Sequence, residues 1–113
     1  MNERDQLILE CHKRMKALAA TPAPPSWRTW DLDPWEEGQA HGPPYAAGAW
    51  FGKIDEAQRV RFLRALRMLA SQGIIATYSR CGGRLTNIKL TDLGIQAAEA
   101  FHSQQLDTTE DLR

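Results

Sequence analysis

Arginine is concentrated in one segment of this chain, at spacings that suit the binding of an anionic polymer. Residues 53–91 contain eight Lys or Arg and only two acidic residues, a net charge of +6 in a chain whose total charge is zero. The arginines of this segment are Arg59, Arg61, Arg64, Arg67, Arg80 and Arg84. Because arginine forms paired hydrogen bonds with phosphate and with guanine, the segment predicts an oriented basic binding face. A solvated helix face is the alternative interpretation of such a charge run.

The other reactive side chains do not form a set with a recognisable chemistry. His12, His41 and His102 lack metal-ligand spacing, both with each other and with the cysteines. The sequence contains no recognisable nucleophile–base pair, phosphate-binding glycine loop or pair of catalytic carboxylates. We therefore expect a protein that is not an enzyme, with no catalytic residues, no metal site and no cofactor.

The two cysteines lie seventy positions apart and do not indicate a disulfide framework. Cys81 lies between Arg80 and Arg84, where positive neighbours favour the reactive thiolate. It is either a redox switch on binding or an incidental loop cysteine, and the second interpretation is favoured. Cys11 falls on an apolar helical stripe and is expected in the core.

Composition predicts one globular domain. The chain has 113 residues, of which 42% are apolar and 25% are charged, as in ordinary soluble proteins. No apolar run approaches the roughly 18–20 residues that span a bilayer. The N-terminal stretch "MNERDQ" lacks the apolar region of a signal peptide. We expect a cytoplasmic protein that does not bind membranes.

Hydrophobic periodicity and capping residues predict the elements that hold the basic segment. Two alternating runs, "IIATYSR" and "LTNIKLT", flank Gly82 and Gly83 and predict a β-hairpin. Asp55 and Gln58 have the spacing of a helix capping pair, and Gly73 is placed to end the same helix. The predicted elements are helices at residues 3–20, 45–52, 55–72 and from 92 to about 105, a hairpin at 74–91 and a flexible tail at 107–113.

Residues 22–44 are rich in proline and tryptophan and show neither helical nor strand periodicity. We predict an irregular loop insertion that packs back on the core, with one short helical turn at about residues 34–37. Two roles are open for the tryptophans of the chain, which either cover the core or line a pocket for an effector. They are Trp27, Trp30, Trp35 and Trp50. Core cover is the favoured interpretation, because the chain has no second domain to complete a pocket.

The predicted helix at residues 55–72 separates apolar from basic side chains. With Leu66 at the centre of its inner face and about 100° per residue, the other predicted core positions fall within about 60° of it. These positions are Phe62, Leu63, Leu69 and Ala70. Arg61, Arg64 and Met68 fall near the opposite side. An apolar stripe inward and an arginine row outward suit a helix that enters the major groove of DNA.

The stretch "RALRMLASQGIIATYSRCGGRLTNIKLTDLG" resembles the recognition helix, wing and following helix of prokaryotic winged helix-turn-helix transcriptional regulators. Over residues 55–94 the shared features are a leucine-spaced helix, an apolar run after glycine, a Gly-Arg wing, and "LT" closely followed by glycine. The resemblance implies a mainly α fold with a small β-hairpin, a winged helix-turn-helix in a single domain at residues 1–106. It also implies that Arg61 and Arg64 face the groove and that Arg84 makes a contact from the wing.

We therefore expect a sequence-specific double-stranded DNA-binding protein, a transcriptional regulator with helix 55–72 in the major groove and hairpin 74–91 as the wing. The candidate DNA-contacting residues are Gln58, Arg59, Arg61, Arg64, Arg67, Arg80, Arg84 and Lys89. Arginines that do not read bases are expected to contact phosphates. The alternative function is a winged-helix protein-interaction module of a larger assembly.

One recognition helix covers few base pairs, too few to mark a site among the ~10⁶ or more competing sites of a genome. We therefore expect a homodimer, with half-sites about one helical turn apart on DNA. The terminal helices are the predicted contact, because they carry more apolar side chains than a small core requires. These side chains are Leu7, Ile8, Met15, Leu18 and Phe101. The alternative is a monomer in which both helices close the core.

Overall fold

Apolar periodicity and capping residues set the limits of most elements. The computed structural model describes residues 2–80 and 82–111, with the side chains of residues 2–80 and 82–103. Within this part the chain forms five helices and one antiparallel pair of strands, so it is mainly helical with a small hairpin, as predicted. In chain order the elements are α1 (Glu3–Ala20), α2 (Thr29–His41), α3 (Ala47–Phe51), α4 (Glu56–Ser71), β1 (Ile75–Tyr78), β2 (Asn87–Leu90) and α5 (Asp92–Asp111).

Side chains cap the two helices that contribute most to the core. At α1, Asn2 accepts a hydrogen bond from the Asp5 backbone N–H at 2.8 Å. At α4, Asp55 and Gln58 exchange hydrogen bonds of 2.7 and 3.0 Å and form the predicted capping box. Gly73, with a φ of 72°, follows α4 in the left-handed conformation that glycine adopts without strain.

The core lies where α1, α4, the hairpin and α5 meet. α1 and α4 pack against each other, and both contact the sheet. The largest fully buried side chains are Leu7, Ile8, Cys11, Leu66, Leu69, Ile75 and Ile88. Cys11 is thus a core residue, as predicted, and burial raises the pKa of its thiol to about 12. The thiol therefore stays protonated at neutral pH.

The hairpin separates the core from α2. β1 and β2 pair antiparallel, with Ile75 opposite Leu90 and Tyr78 opposite Asn87. Successive strand residues point to opposite faces, so the buried Ile75 and Leu90 face the core while Tyr78 faces the other side. There the Tyr78 ring stacks on His41 of α2, with 3.6 Å between ring centroids and an angle of 2°.

The segment before α3 runs beside β2. The Tyr45 N–H donates to the Thr86 carbonyl at 3.0 Å, and the Ile88 N–H donates to the Pro43 carbonyl at 3.3 Å. α3 follows directly and is joined to α4 by the short turn 52–55. These contacts hold α3 at a fixed place relative to the hairpin.

The structure corrects the prediction of an irregular loop at residues 22–44. Part of that segment forms the regular helix α2, which includes Pro34. Proline removes a backbone N–H from a helix interior, and for this reason the sequence indicated no more than a short turn. Contacts with α1 stabilise α2 instead, because Gly38 is buried against Leu18 and the Gln39 side chain donates to the Leu18 carbonyl at 2.8 Å.

α5 continues past its predicted end. The helix spans Asp92–Asp111, so the backbone is helical up to that residue, while the predicted flexibility of residues 107–113 stays a prediction. Across residues 2–80 and 82–111, no helix combines the length and apolarity that a bilayer crossing requires.

The apolar residues of the terminal helices are used within the chain itself. Leu7 and Ile8 have no exposed surface. Met15 and Phe101 are half-buried and pack against the core, and Leu18 contacts Gly38 of α2. The premise that these side chains exceed the needs of the core is wrong, because the core and α2 cover them. The homodimer itself stays a prediction.

Candidate nucleic-acid interface

α4 and the hairpin loop form a basic surface on the side of the hairpin turned away from α2. Arg64 and Arg67 are exposed on α4, and Arg84 is exposed on the loop between the strands. Thr77 lines the same cleft as Arg67 and Arg84, whereas its neighbour Tyr78 faces α2. Since neighbouring strand residues point to opposite faces, the basic surface and α2 lie on opposite sides of the hairpin.

A cleft of about 790 Å³ separates α4 from the hairpin loop and the start of α3. Arg59, Arg67 and Arg84 line this cleft together with apolar side chains. The apolar part consists of Leu63, Leu66, Ala70 and Leu85, with Ala46 and Ala47 of the α3 start. Leu63 and Ala70, which the sequence assigned to the core, are half-buried because they face this cleft as well.

Arg61 lies on the opposite flank of α4, next to the start of α1. Its Nε donates to Glu3 Oε1 at 2.9 Å. Hydrogen bonds from the backbone and from Arg61 lower the pKa of the Glu3 carboxyl. A depression of about 320 Å³ on this flank is lined by Arg61, Arg64 and Met68 together with the first residues of α1. Arg61 is therefore exposed, as expected of a residue facing away from the core, but Glu3 compensates its charge.

Two of the candidate residues contact α2 and not the cleft. Arg80 donates through Nε and Nη2 to the two carboxylate oxygens of Glu37, at 3.0 and 2.9 Å. Lys89 Nζ donates to the Ala40 carbonyl at 3.1 Å, near the end of α2. The sequence placed Arg80 and Arg84 together at the hairpin tip, whereas the structure places Arg80 against α2 and Arg84 on the cleft.

Gln58 and Arg59 are engaged in the first turn of α4. The Gln58 side chain accepts the Asp55 N–H of the capping box at 3.0 Å. Arg59 donates twice to Glu56, and this pairing lowers the pKa of the glutamate and raises that of the arginine. Both groups are exposed, so the pair adds little to the stability of the fold.

The structure thus divides the candidate arginines into compensated and uncompensated ones. The arginines paired with a carboxylate are Arg59, Arg61 and Arg80. Within the described residues, no carboxylate pairs with Arg64, Arg67 or Arg84. The uncompensated charge of the candidate arginines therefore lies on the exposed face of α4 and at the edge of the cleft, whereas Lys89, which bonds a neutral carbonyl, lies beside α2.

Two tryptophans that sequence reasoning assigned to the core are exposed. Trp27 and Trp30 are 70% and 65% exposed and meet edge to face, with 6.1 Å between ring centroids. Trp50 is buried and donates its indole N–H to the Pro44 carbonyl at 3.0 Å. Core cover is therefore correct for Trp50 and wrong for Trp27 and Trp30. Trp27 precedes α2 and Trp30 lies in its first turn, whereas α2 contacts α1 through its later residues Gly38 and Gln39. No local pattern distinguishes these tryptophans.

The cysteine and histidine hypotheses have separate outcomes. Cys81 lies outside the described residues, so the choice between a redox switch and an incidental cysteine stays open. Among the residues that the structure describes, no group of three or more His, Cys, Asp or Glu is placed to hold a metal ion. His12 is buried, and its ring lies beside that of His102 with 5.8 Å between ring centroids.

Comparisons with protein-family models, with curated proteins and with solved structures gave no match. The geometry and charge of the basic surface therefore carry the functional proposal. An exposed helix with uncompensated arginines, next to a loop that carries another, suits an anionic partner.

Proposed function

We propose that this chain is a winged helix-turn-helix protein that binds double-stranded DNA and regulates transcription. In this proposal α4 is the recognition helix in the major groove, and the hairpin is the wing. The observation that carries the proposal is a set of three exposed arginines without a carboxylate partner among the described residues, Arg64 and Arg67 on α4 and Arg84 on the adjacent hairpin loop. A basic exposed helix beside a basic loop suits the groove and the adjacent phosphates of a duplex.

The order of the elements supports the winged-helix interpretation. α3 and α4 are joined by the short turn 52–55, and β1 begins four residues after α4 ends. In a helix-turn-helix the second helix enters the groove. A hairpin that begins at the end of that helix, on the side where Arg67 lies, is placed to reach the neighbouring backbone.

The proposed roles follow from exposure and pairing. Arg64 and Arg67 are the base readers, because arginine donates to O6 and N7 of guanine and no carboxylate of the described residues holds either side chain. Arg84 contacts a phosphate from the wing. Arg61, the other expected reader, contributes only after DNA has replaced Glu3 as its partner.

Binding of labelled duplexes at several salt concentrations, followed by fluorescence anisotropy, tests the proposal once a preferred sequence has been selected from a random pool. Arg64→Ala or Arg67→Ala is expected to cost about 1–3 kcal/mol against the selected sequence. Arg84→Ala is expected to weaken binding to all duplexes and to lower the salt slope by about one unit. Lys13→Ala is the matched control, since Lys13 is exposed on α1.

Three outcomes contradict the proposal or part of it. The first is unchanged affinity in both Arg64→Ala and Arg67→Ala with a native circular dichroism spectrum. The second is binding that does not weaken as salt rises, because charge-driven binding to a duplex releases counterions. A loss of affinity in Lys13→Ala as large as in Arg64→Ala removes the assignment of α4 as reader.

We further propose that the protein acts as a homodimer through its terminal helices, because one recognition helix covers only part of an operator. α1 uses its apolar side chains within the chain, so α5, which extends to Asp111, is the better-placed of the two helices. Sedimentation equilibrium at micromolar concentration measures the association. A monomer in solution, together with one protein per duplex on DNA, contradicts the homodimer.

A protein-interaction module of a larger assembly is the second candidate function. Exposed Trp27 and Trp30 favour it, since tryptophan is enriched at the energetic centres of protein interfaces. The DNA-binding measurements separate the two candidates. For a protein-interaction module, the original chain and the Arg64→Ala variant are expected to have the same low affinity for duplex DNA.

A further inference from the structure

We propose that the cleft between α4, the hairpin loop and the start of α3 binds a small organic anion with an apolar body, of the class of aromatic or aliphatic carboxylates. The cleft has a volume of about 790 Å³, within the roughly 300–1,000 Å³ of small-molecule sites. This ligand site is independent of DNA binding, because the charge and shape of the cleft alone support it.

The rim of the cleft is basic. Arg67 lines it from α4 and Arg84 from the hairpin loop, and in the described part of the chain neither has a carboxylate partner. Arg59 also lines the cleft, with its charge shared by Glu56. No Asp or Glu among the described residues lines this space. A carboxylate or sulfonate placed between Arg67 and Arg84 therefore receives charge-assisted hydrogen bonds without a competing acid.

The floor of the cleft is apolar. Leu66 is almost fully buried, and Leu63 and Leu85 are half-buried beside it. Contact with these side chains removes the apolar surface of an organic ligand from water. Inorganic phosphate has no such surface, so the floor favours an anion that carries a hydrocarbon or aromatic body.

Hydroxyl groups complete the lining. Tyr45, Thr77 and Ser79 contribute them from the start of α3 and from the hairpin. Burial raises the pKa of Tyr45, so its hydroxyl stays protonated at neutral pH and can donate a hydrogen bond. An apolar floor with a few polar groups and a cation at the rim is the usual composition of a site that orients one ligand.

A ligand in the cleft also has a consequence for DNA. Arg67 and Arg84 are the residues proposed to contact the duplex, so a bound anion competes with DNA for them. This consequence rests on the proposed function, whereas the ligand site itself does not.

Anilinonaphthalene sulfonate, a fluorescent anion with an aromatic body, is the probe, titrated into the full chain without DNA. We expect a saturable rise in fluorescence. Arg67→Ala and Arg84→Ala are each expected to weaken the affinity roughly tenfold, the loss of one charge-assisted contact. Arg61→Ala is the matched control, because it removes an arginine from the opposite flank of α4 and leaves the cleft intact. Circular dichroism verifies that each variant is folded.

Two further measurements locate the probe. The double variant Trp27→Ala/Trp30→Ala is expected to keep its affinity, because this exposed pair does not line the cleft. Inorganic phosphate at millimolar concentration is expected to leave the probe in place. The proposal is overturned if both arginine variants keep full affinity, if the tryptophan variant abolishes binding, or if phosphate displaces the probe. All of these measurements are made without DNA, so a failure of the chain to bind DNA leaves their outcomes unchanged.

Discussion

Gly94→Ala is the substitution for which the structure and local propensity make opposite predictions. Gly94 lies in the first turn of α5, where the helix rests on the start of β1. A Cβ at this position would lie 2.2 Å from the Ile74 carbonyl oxygen and 3.0 Å from Leu90. That carbonyl also accepts hydrogen bonds from the Thr91 N–H at 3.0 Å and from its hydroxyl at 3.1 Å. The obstacle is thus backbone held by two hydrogen bonds, and it cannot rotate away as a side chain would.

The size of the effect follows from two opposing contributions. Replacing glycine by alanine in a helix stabilises it by up to about 1 kcal/mol. Forcing an atom into occupied space costs about 1–3 kcal/mol of folding free energy. Because the Ile74 carbonyl is fixed, the cost for Gly94→Ala is expected towards the upper end of this range. We therefore expect a net destabilisation of about 1–2 kcal/mol, which lowers the melting temperature by about 4–8 °C for a chain of this length.

Urea and thermal unfolding, followed by circular dichroism, measure the effect. Gly48→Ala in α3 is the matched control, because a Cβ there meets no atom within 4 Å. This variant is expected to be equally stable or more stable, by up to about 1 kcal/mol. Equal stability of Gly94→Ala and the original protein would refute the close approach of α5 to the hairpin.

Two further perturbations test contacts of α2 and α1. Glu37→Gln replaces a carboxylate that pairs with Arg80 by a neutral amide. On the proposed function this variant binds DNA more strongly and raises the magnitude of the salt slope by about one unit. An unchanged slope means that Arg80 does not reach a phosphate. Burial, with Lys16 and His102 nearby, lowers the pKa of His12, so the unfolded chain binds this proton at a higher pH than the folded one. The unfolding free energy is therefore expected to fall as pH drops below the ordinary histidine pKa of about 6.5, and His12→Gln to flatten that dependence in urea titrations.

Elements with local signals were predictable from the sequence. The capping pair Asp55 and Gln58 is separated by three positions, and the alternating runs that predict the hairpin lie directly on either side of Gly82 and Gly83. Both signals can therefore be recognised within a short stretch of sequence. A helical wheel needs no tertiary information either, so the exposure of Arg61 and Arg64 followed from the spacing of apolar residues in α4.

α2 and the pairing of charges were not predictable in this way. Pro34 argues against a helix locally, and the contacts that outweigh it join residues far apart in sequence. The Arg80–Glu37 pair, for example, spans 43 positions. Helical spacing indicates the local pair Arg59–Glu56, three residues apart, but no sequence pattern indicates the distant pairs Arg61–Glu3 and Arg80–Glu37. The same limit applies to Trp27, since its exposure depends on where α2 docks.

This pairing changes what the basic segment implies for binding. The +6 charge of residues 53–91 counts every Lys and Arg equally, but in the folded chain Glu3, Glu37 and Glu56 each compensate one arginine. A phosphate gains little from a cation that must first leave a carboxylate, because one ion pair replaces another. Within the described residues these three pairs leave five of the eight cations without a carboxylate partner. The slope of log affinity against log salt is therefore expected to be no steeper than about −4.5 per bound chain, and not the value of about −7 that eight phosphate contacts would give. A measured slope near −7 contradicts this reasoning, since it requires those three glutamates to release their arginines when DNA binds.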